Sequence, residues 1–254
     1  MKPLVDLTGW NILTIGASSG IGRQTAVTLS RLGAHVILAA RREDKLRETL
    51  ALLAGEGHAL YPTDISDLDG IEVLFKTIKE DRGLLDGMVY CAGVNSTMPL
   101  LQLKPKRLRE TFDINFFAFV EAVRQATRRG RYNEGMRIVA VSSVAATRGD
   151  KAHTAYSASK AALNSAIRCM AKELADKGIR INAVAPAMTN TEMFRAYAGG
   201  NGEVNEGEEA LLQRQYLGLV EPEDVASAIA FLLSPAARSI TGITLPVDGG
   251  LSTS

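Results

Sequence analysis

Cysteine is scarce in this chain, and so is any long apolar run. The 254 residues hold two cysteines, Cys91 and Cys169, far apart and in neither Cys-x-x-Cys nor zinc-ligand spacing. That argues against a disulfide framework and a cysteine metal centre, and for reduced packing thiols in a cytoplasmic protein. The longest apolar stretches, such as Val225–Leu233, are too short to span a bilayer, and Met1-Lys2-Pro3 runs into Asp6 without an apolar signal region. The chain is therefore expected to be neither secreted nor membrane-bound. Charge of one sign is lacking too: 29 basic against 28 acidic residues leave +1, which calls for no nucleic acid and no anionic membrane. No linker, internal repeat or low-complexity tract divides the sequence, so one large α/β domain over 1–254 is expected.

What is present is a regular alternation of short apolar runs and helical patterns. Asn11–Ile15 has strand length and runs directly into Gly16-Ala17-Ser18-Ser19-Gly20-Ile21-Gly22, after which a helical pattern continues to Leu32. A strand, a glycine turn and a helix make a phosphate site, because glycines admit a pyrophosphate close to the backbone and the helix's unpaired amides attract its charge. The alternatives are a tight turn that binds nothing and, through Gly16-x-Ser18-x-Gly20, a hydrolase elbow with Ser18 as nucleophile and His153 as base. The hydrolase reading lacks an earlier strand and loop to supply a second oxyanion amide.

His35–Ala40 closes a βαβ half that ends in Arg41-Arg42. Where an acidic residue would bind the ribose hydroxyl of NAD, Ala40 and Arg41 suit a 2′-phosphate, so NADP(H) is expected over NAD(H). A solvated arginine pair is the plain alternative. Further on come a helix at Lys45–Ala54, a strand at Ala59–Tyr61, and Asp64, placed either to reach an adenine or to cap a turn. A helix around Ile71–Glu80 leads to the strand Met88–Cys91, which ends in Ala92-Gly93. Pro105–Arg129 reads as one long helix containing Asn115, and Arg137–Val141 as a strand ending at Ser142-Ser143. Ile179–Val184 and Ile243–Val247 read as the last strands, with a helix at Pro222–Leu233 between them. This rhythm implies a doubly wound parallel sheet with helices on both faces and a ligand site at the carboxyl ends of its strands, where Gly16, Arg41, Gly93 and Ser143 fall. The glycine- and glutamate-rich segment 188–218 breaks the rhythm and reads as a substrate lid or a plain surface loop.

Tyr156 and Lys160 stand four residues apart, with Ser143 thirteen residues before Tyr156. If Tyr156 opens a helix over Ser157–Lys177, the pair projects from one face. A phenol near its reference pKa of about 10 is a poor proton shuttle at neutral pH, and a nearby ammonium is expected to lower that pKa.

Taken in order, Gly16-x-x-x-Gly20-x-Gly22, Asp64-Ile65, Ala92-Gly93, Asn115, Ser143, Tyr156-x-x-x-Lys160, Asn182, Pro186 and Asp248-Gly249-Gly250 resemble the short-chain dehydrogenase/reductase family over essentially the whole chain. The resemblance implies a Rossmann-type seven-stranded sheet and hydride transfer between a nicotinamide and a carbonyl or secondary-alcohol carbon, without a metal. It implies Tyr156 as acid or base, Ser143 as hydrogen-bond partner of the substrate oxygen, Lys160 as support for the phenolate and holder of the nicotinamide ribose, and Asn115 as the holder of a proton-relay water. It carries cofactor contacts to Gly16, Ser18, Ser19, Gly20, Ile21, Gly22, Arg41, Arg42, Asp64, Ile65, Cys91, Ala92, Gly93, Tyr156, Lys160, Pro186, Thr189 and Thr191. Asn115 as a buried helix polar group and Ser143 as a strand-end cap are the plain readings.

Three residues depart from the family pattern: Ile15 for a threonine, Tyr90-Cys91 for two asparagines, and Ala187 for a glycine after Pro186. The first two are expected to lose hydrogen bonds between loops, and Ala187 would matter if its backbone needed positive φ. The resemblance also implies a homotetramer or homodimer formed through Pro105–Arg129 and Ala155–Lys177, although a monomer would show the same pattern. A 3-oxoacyl thioester on acyl carrier protein is one candidate substrate, with Arg128, Arg129, Arg131, Lys172 and Lys177 as basic surface. Sugar or steroid alcohols with NAD form an alternative. A non-catalytic NADP sensor, a different class, would tolerate loss of the Tyr156 hydroxyl.

Overall fold

The computed structural model describes residues 4–95, 97–197, 209 and 212–253. Among these, β1 (Asn11–Ile15), β2 (His35–Ala40), β3 (Ala59–Pro62), β4 (Leu85–Tyr90), β5 (Tyr132–Val141), β6 (Arg180–Pro186) and β7 (Thr244–Val247) form a seven-stranded sheet in the order β3-β2-β1-β4-β5-β6-β7. Every pairing is parallel. The Rossmann-type α/β fold expected from the motifs is thus observed. Its strand order reverses between β1 and β4, where parallel sheets open a crevice for ligands.

Alternate side chains of each strand feed two cores, which is why the strands read as unbroken apolar runs. Leu13, Ile15, Met88, Tyr90, Ile138 and Ile181 pack beneath α3 (Leu68–Arg82), α5 (Ala118–Ala126) and α6 (Thr154–Leu174). Ile12, Val36, Leu38, Val89, Val139 and Val184 face α1 (Gly20–Arg31), α2 (Glu43–Leu50) and the Pro222–Leu233 helix.

Several boundaries differ from the sequence reading. α2 starts earlier, at Glu43-Asp44, whose charges suit a helix N-terminus. β5 begins at Tyr132, because its polar first half pairs with the edge of β4 through Leu85 across a register shift. The single helix expected over Pro105–Arg129 is instead α4 (Pro105–Phe112), a π turn at Asp113–Phe117 and α5, which stops at Ala126. Arg128 therefore lies beyond the last helical turn, and it pairs with Glu72 at 2.9 Å. α6 opens at Thr154, which places Tyr156 within its first turn rather than at its start.

The segment expected as a lid carries α7 (Glu192–Tyr197), while its residues 198–208, 210 and 211 lie outside the described residues. Its two stems run side by side. Thr189 bridges Val220, Asn190 N donates to Val220 O (2.9 Å) and Val220 N to Met188 O (3.2 Å). The excursion therefore leaves and returns at one point beyond the end of β6.

Candidate active site

The glycine turn packs backbone against backbone. Gly16 has φ +88°, and a Cβ there would stand 2.6 Å from Ala92 N; a Cβ on Gly22 would stand 2.1 Å from Gly16 O. Neither position admits a side chain. Behind the turn, α1 starts after Ser19, whose side chain makes no cap, and its first turn holds no acidic residue. Its leading amides and positive dipole end thus remain available to an anion, and the residues present fit the pyrophosphate of a dinucleotide.

Two arginines brace this turn. Arg42 donates to Ser18 Oγ (3.1 Å) and Ser19 Oγ (3.2 Å), and Arg23 to Ser18 O (2.8 Å). Ser18 is therefore the partner of Arg42. His153 stands elsewhere, against Thr97 Oγ1 (3.3 Å) and the Tyr156 ring (centroids 6.2 Å apart), so a Ser18–His153 nucleophile is not assembled. A Cβ on Gly20 would meet Thr191 Cγ2 at 3.3 Å, which brings the segment after β6 over the turn. Asp64 Oδ1 accepts from Ser66 N (3.0 Å) and Ser66 Oγ (2.7 Å); these bonds hold its carboxyl below the usual range, and nearby Arg41 adds to them. Asp64 thus caps a turn through Oδ1, and the Ile65 side chain belongs to the core.

The groups expected to be catalytic converge at the ends of β4 and β5. Lys160 is buried, donates to Val141 O (2.8 Å) and places Nζ 5.9 Å from the centroid of the Tyr156 ring. Burial depresses its pKa to about 8. The Tyr156 phenol is held above its ordinary value, because burial raises it more than the hydrogen bond with Ser143 lowers it. The lowering expected from Lys160 is not seen here: its ammonium donates to a carbonyl and is not among the groups that move the phenol. Ser143 makes the cap of its plain reading, accepting from Ala145 N at 3.1 Å, and its hydroxyl lies near enough to the Tyr156 phenol to lower it in part.

Asn115, in the π turn, donates to Val94 O (3.0 Å) and Ser159 Oγ (2.9 Å) and accepts from Val94 N (2.9 Å). Both of its amide protons are engaged within the protein. A Cβ on Gly93 would meet Asn115 Oδ1 and Lys160 Nζ, each at 3.3 Å, so these three residues share one point. Thr189 Oγ1 donates to Ala187 O (3.0 Å), and Thr191 Oγ1 donates to Thr189 O (3.3 Å) and accepts from Phe194 N (3.2 Å). Both hydroxyls thus bind the backbone of their own segment.

One cavity of about 600 Å³ is lined by Ile21, Cys91, Gly93, Ser143, Tyr156, Lys160, Pro186, Thr189 and Thr191. Burial pushes the Cys91 thiol up to about 12, which leaves it unreactive at neutral pH. The cavity also collects Arg148, Lys151, His153 and Arg214, to which the motif reading gave no binding role. For the first three, the density of charge between Ser143 and Tyr156 was the available signal. Among the described residues no cluster of His, Cys, Asp and Glu suits a metal ion, and no helix is long and apolar enough to cross a membrane.

The departures from the family pattern prove mild. Ile15 is a core residue, and among the described residues Ala152 is the one non-glycine at positive φ, so Ala187 carries no such strain. Tyr90 supplies a tie of its own, correcting the expected loss: its hydroxyl donates to Ile114 O at 2.6 Å, in the π turn beside Asn115, and its ring packs edge-on against Phe119. Tyr90→Phe removes that donor from a buried carbonyl and is expected to cost about 1–3 kcal/mol in urea unfolding. It should also lower kcat more than it raises KM, by loosening the turn that carries Asn115. Unchanged stability and kcat would refute this role.

A Rossmann-type sheet with an anion-ready glycine turn beside a Tyr-Lys-Ser cavity defines a nucleotide-dependent oxidoreductase. The family model described as enoyl-(acyl carrier protein) reductase matches residues 16–252. The chain is 35% identical over 250 residues to a 3-oxoacyl-[acyl-carrier-protein] reductase of Rickettsia felis, covering 98% of this chain and 99% of the relative. It is 35% identical over 252 residues to an L-xylulose reductase of Caenorhabditis elegans, covering 97% of each. A short chain dehydrogenase from Burkholderia cenocepacia, solved in complex with NADP, superposes with a TM-score of 0.88 at 30% identity, covering 97% of this chain and 99% of that one. The protein belongs to the short-chain dehydrogenase/reductase family and is an oxidoreductase.

Proposed function

We propose that the protein is an NADP(H)-dependent reductase of ketones, or dehydrogenase of the matching secondary alcohols, working as one domain in which segment 188–218 covers the substrate. The observation that carries this reading is the Tyr156 hydroxyl, kept protonated by burial and sharing the wall of one cavity with Ser143 and Lys160. When bound, the nicotinamide supplies or accepts the hydride. Tyr156 gives its proton to the substrate oxygen during reduction, and Ser143 hydrogen-bonds that oxygen as charge builds on it. Lys160 places a positive charge near the phenolate that Tyr156 becomes, while Asn115 fixes the loop at Val94 and α6 at Ser159, so that donor and oxygen keep their spacing.

The preference for NADP(H) is supported by Arg42 at the serines of the glycine turn and Arg41 beside Asp64, and by the NADP bound in the Burkholderia cenocepacia relative. A 3-oxoacyl thioester is supported by the name of the Rickettsia felis relative, and a sugar by that of the C. elegans relative. An acyl carrier protein finds less basic surface than the sequence promised, because Arg128 is paired with Glu72. Assembly through α4–α5 and α6 is supported by the aromatic group Phe112, Phe116 and Phe117, the last 47% exposed.

The test is titration of the purified protein with NADPH and NADH, alongside Arg41→Ala, Arg42→Ala and Ala40→Asp. NADPH should bind at least about tenfold more tightly, as one charge-assisted contact would produce, and each variant should narrow the gap. Equal binding, or a gap that survives all three variants, would refute the NADP preference; binding of neither would remove the nucleotide reading.

A further inference from the structure

The substrate end of the cavity is positively charged beyond what hydride transfer needs. Apart from Lys160, its lining among the described residues holds Arg148, Lys151 and Arg214 against a single carboxylate, Asp150. Arg148 is the informative one. Its side chain is only 17% exposed, yet its one side-chain partner is Asp150 at 3.6 Å, longer than a hydrogen bond, and its Nε is buried with no partner. A mostly buried guanidinium whose Nε–H is out of water and unbonded is costly to keep, unless something with oxyanion oxygens completes it.

Its position is set firmly relative to the reacting groups. Ser143 starts the short 3-10 turn Val144–Ala146, and Arg148 N closes back on Val144 O at 3.2 Å, so serine and arginine are joined by one compact piece of backbone. The turn that follows is pinned from the other substrate loop by Met98 N donating to Ala152 O (2.7 Å). Ala152 there holds φ +64°, a conformation non-glycine residues adopt only when their surroundings impose it. Lys151 and His153 flank it on the cavity wall.

We propose that Arg148 anchors an oxyanion group of the substrate, so that the physiological substrate is an oxo acid or oxo phosphate whose carbonyl meets Tyr156 and Ser143 while its anionic end takes the guanidinium. This rests on the reductase reading above. A planar guanidinium suits both carboxylate and phosphate, which two matched pairs separate: 4-oxopentanoate with its methyl ester, and dihydroxyacetone phosphate with dihydroxyacetone.

In NADPH oxidation assays the anionic member of at least one pair should show kcat/KM about tenfold or more above its neutral partner. Arg148→Gln should bring the two within about twofold through the anionic member alone, leaving the neutral rate and NADPH affinity as they were. Arg148→Lys, which keeps the charge but not the fork, should retain an intermediate preference, and it carries the test if the glutamine variant fails to fold. Equal rates within both pairs, or a preference that survives Arg148→Gln, would overturn the proposal. Calorimetry of the same four compounds against the NADP⁺-loaded protein decides the matter if none is turned over: tighter binding of an anion, lost in Arg148→Gln, supports the anchor, and indifference to charge overturns it. The reductase reading falls separately, if Tyr156→Phe leaves the turnover of an accepted ketone untouched.

Discussion

Tyr156→Phe should lower kcat for ketone reduction by about a thousandfold, within the usual range for loss of a positioned general acid, and leave NADPH affinity within about threefold. The substitution deletes one hydroxyl and keeps the buried ring, so a folded protein with normal nucleotide binding is expected. Residual activity within about tenfold of wild type would mean another group donates the proton. The pH profile gives a second check, because burial moves the two key groups in opposite directions. The phenol is raised, so it stays protonated through neutral pH and is ready for reduction. Lys160 is depressed by burial to about 8. As pH rises past that value its ammonium is lost, the phenolate formed by proton donation loses its support, and reduction should decline. Oxidation needs the phenolate first and should be slow at neutral pH. A reduction rate that climbs steadily from neutral pH upward would contradict this assignment.

Gly22→Ala should be the most damaging small substitution in the nucleotide half. The new methyl would lie 2.1 Å from Gly16 O, 2.8 Å from Gly16 C and 3.1 Å from Cys91 Cβ, and the two nearest are backbone atoms that no rotamer change can move. The turn has to open, at about 3 kcal/mol or more in urea unfolding, and NADPH affinity should fall about a hundredfold as the amides lose register with the pyrophosphate. Gly149→Ala is the matched control. A Cβ there meets nothing within 4 Å, and Gly149 is not among the positive-φ glycines, so a neutral or slightly favourable change is expected. A Gly22→Ala protein as stable as wild type, binding NADPH normally, would mean the turn is far softer than its packing implies.

Strands, the glycine turn and the Tyr-x-x-x-Lys pair were all legible in the linear chain. Each rests on neighbours a few residues apart: the two-residue repeat that sends Leu13 and Ile15 to one core and Ile12 to the other, or the helical turn that separates Tyr156 from Lys160. The π turn was not legible, since Asp113–Phe117 carries no glycine or proline to mark it and its tie to Tyr90 spans 24 residues. Nor were the ties of the second arginine legible: Arg42 reaches Ser18 and Ser19, 24 and 23 residues away.

Sequence alone thus determined the class of sheet and the place of the cavity, and it nominated the reacting groups proposed above, because hydrophobic period, glycine spacing and side-chain chemistry are local properties. Only the tertiary structure decided how those groups ionise and what else faces them. The burial that raises Tyr156 and lowers Lys160, and that leaves Arg148 Nε without a partner, comes from packing in space, and desolvation depends on everything that surrounds a group.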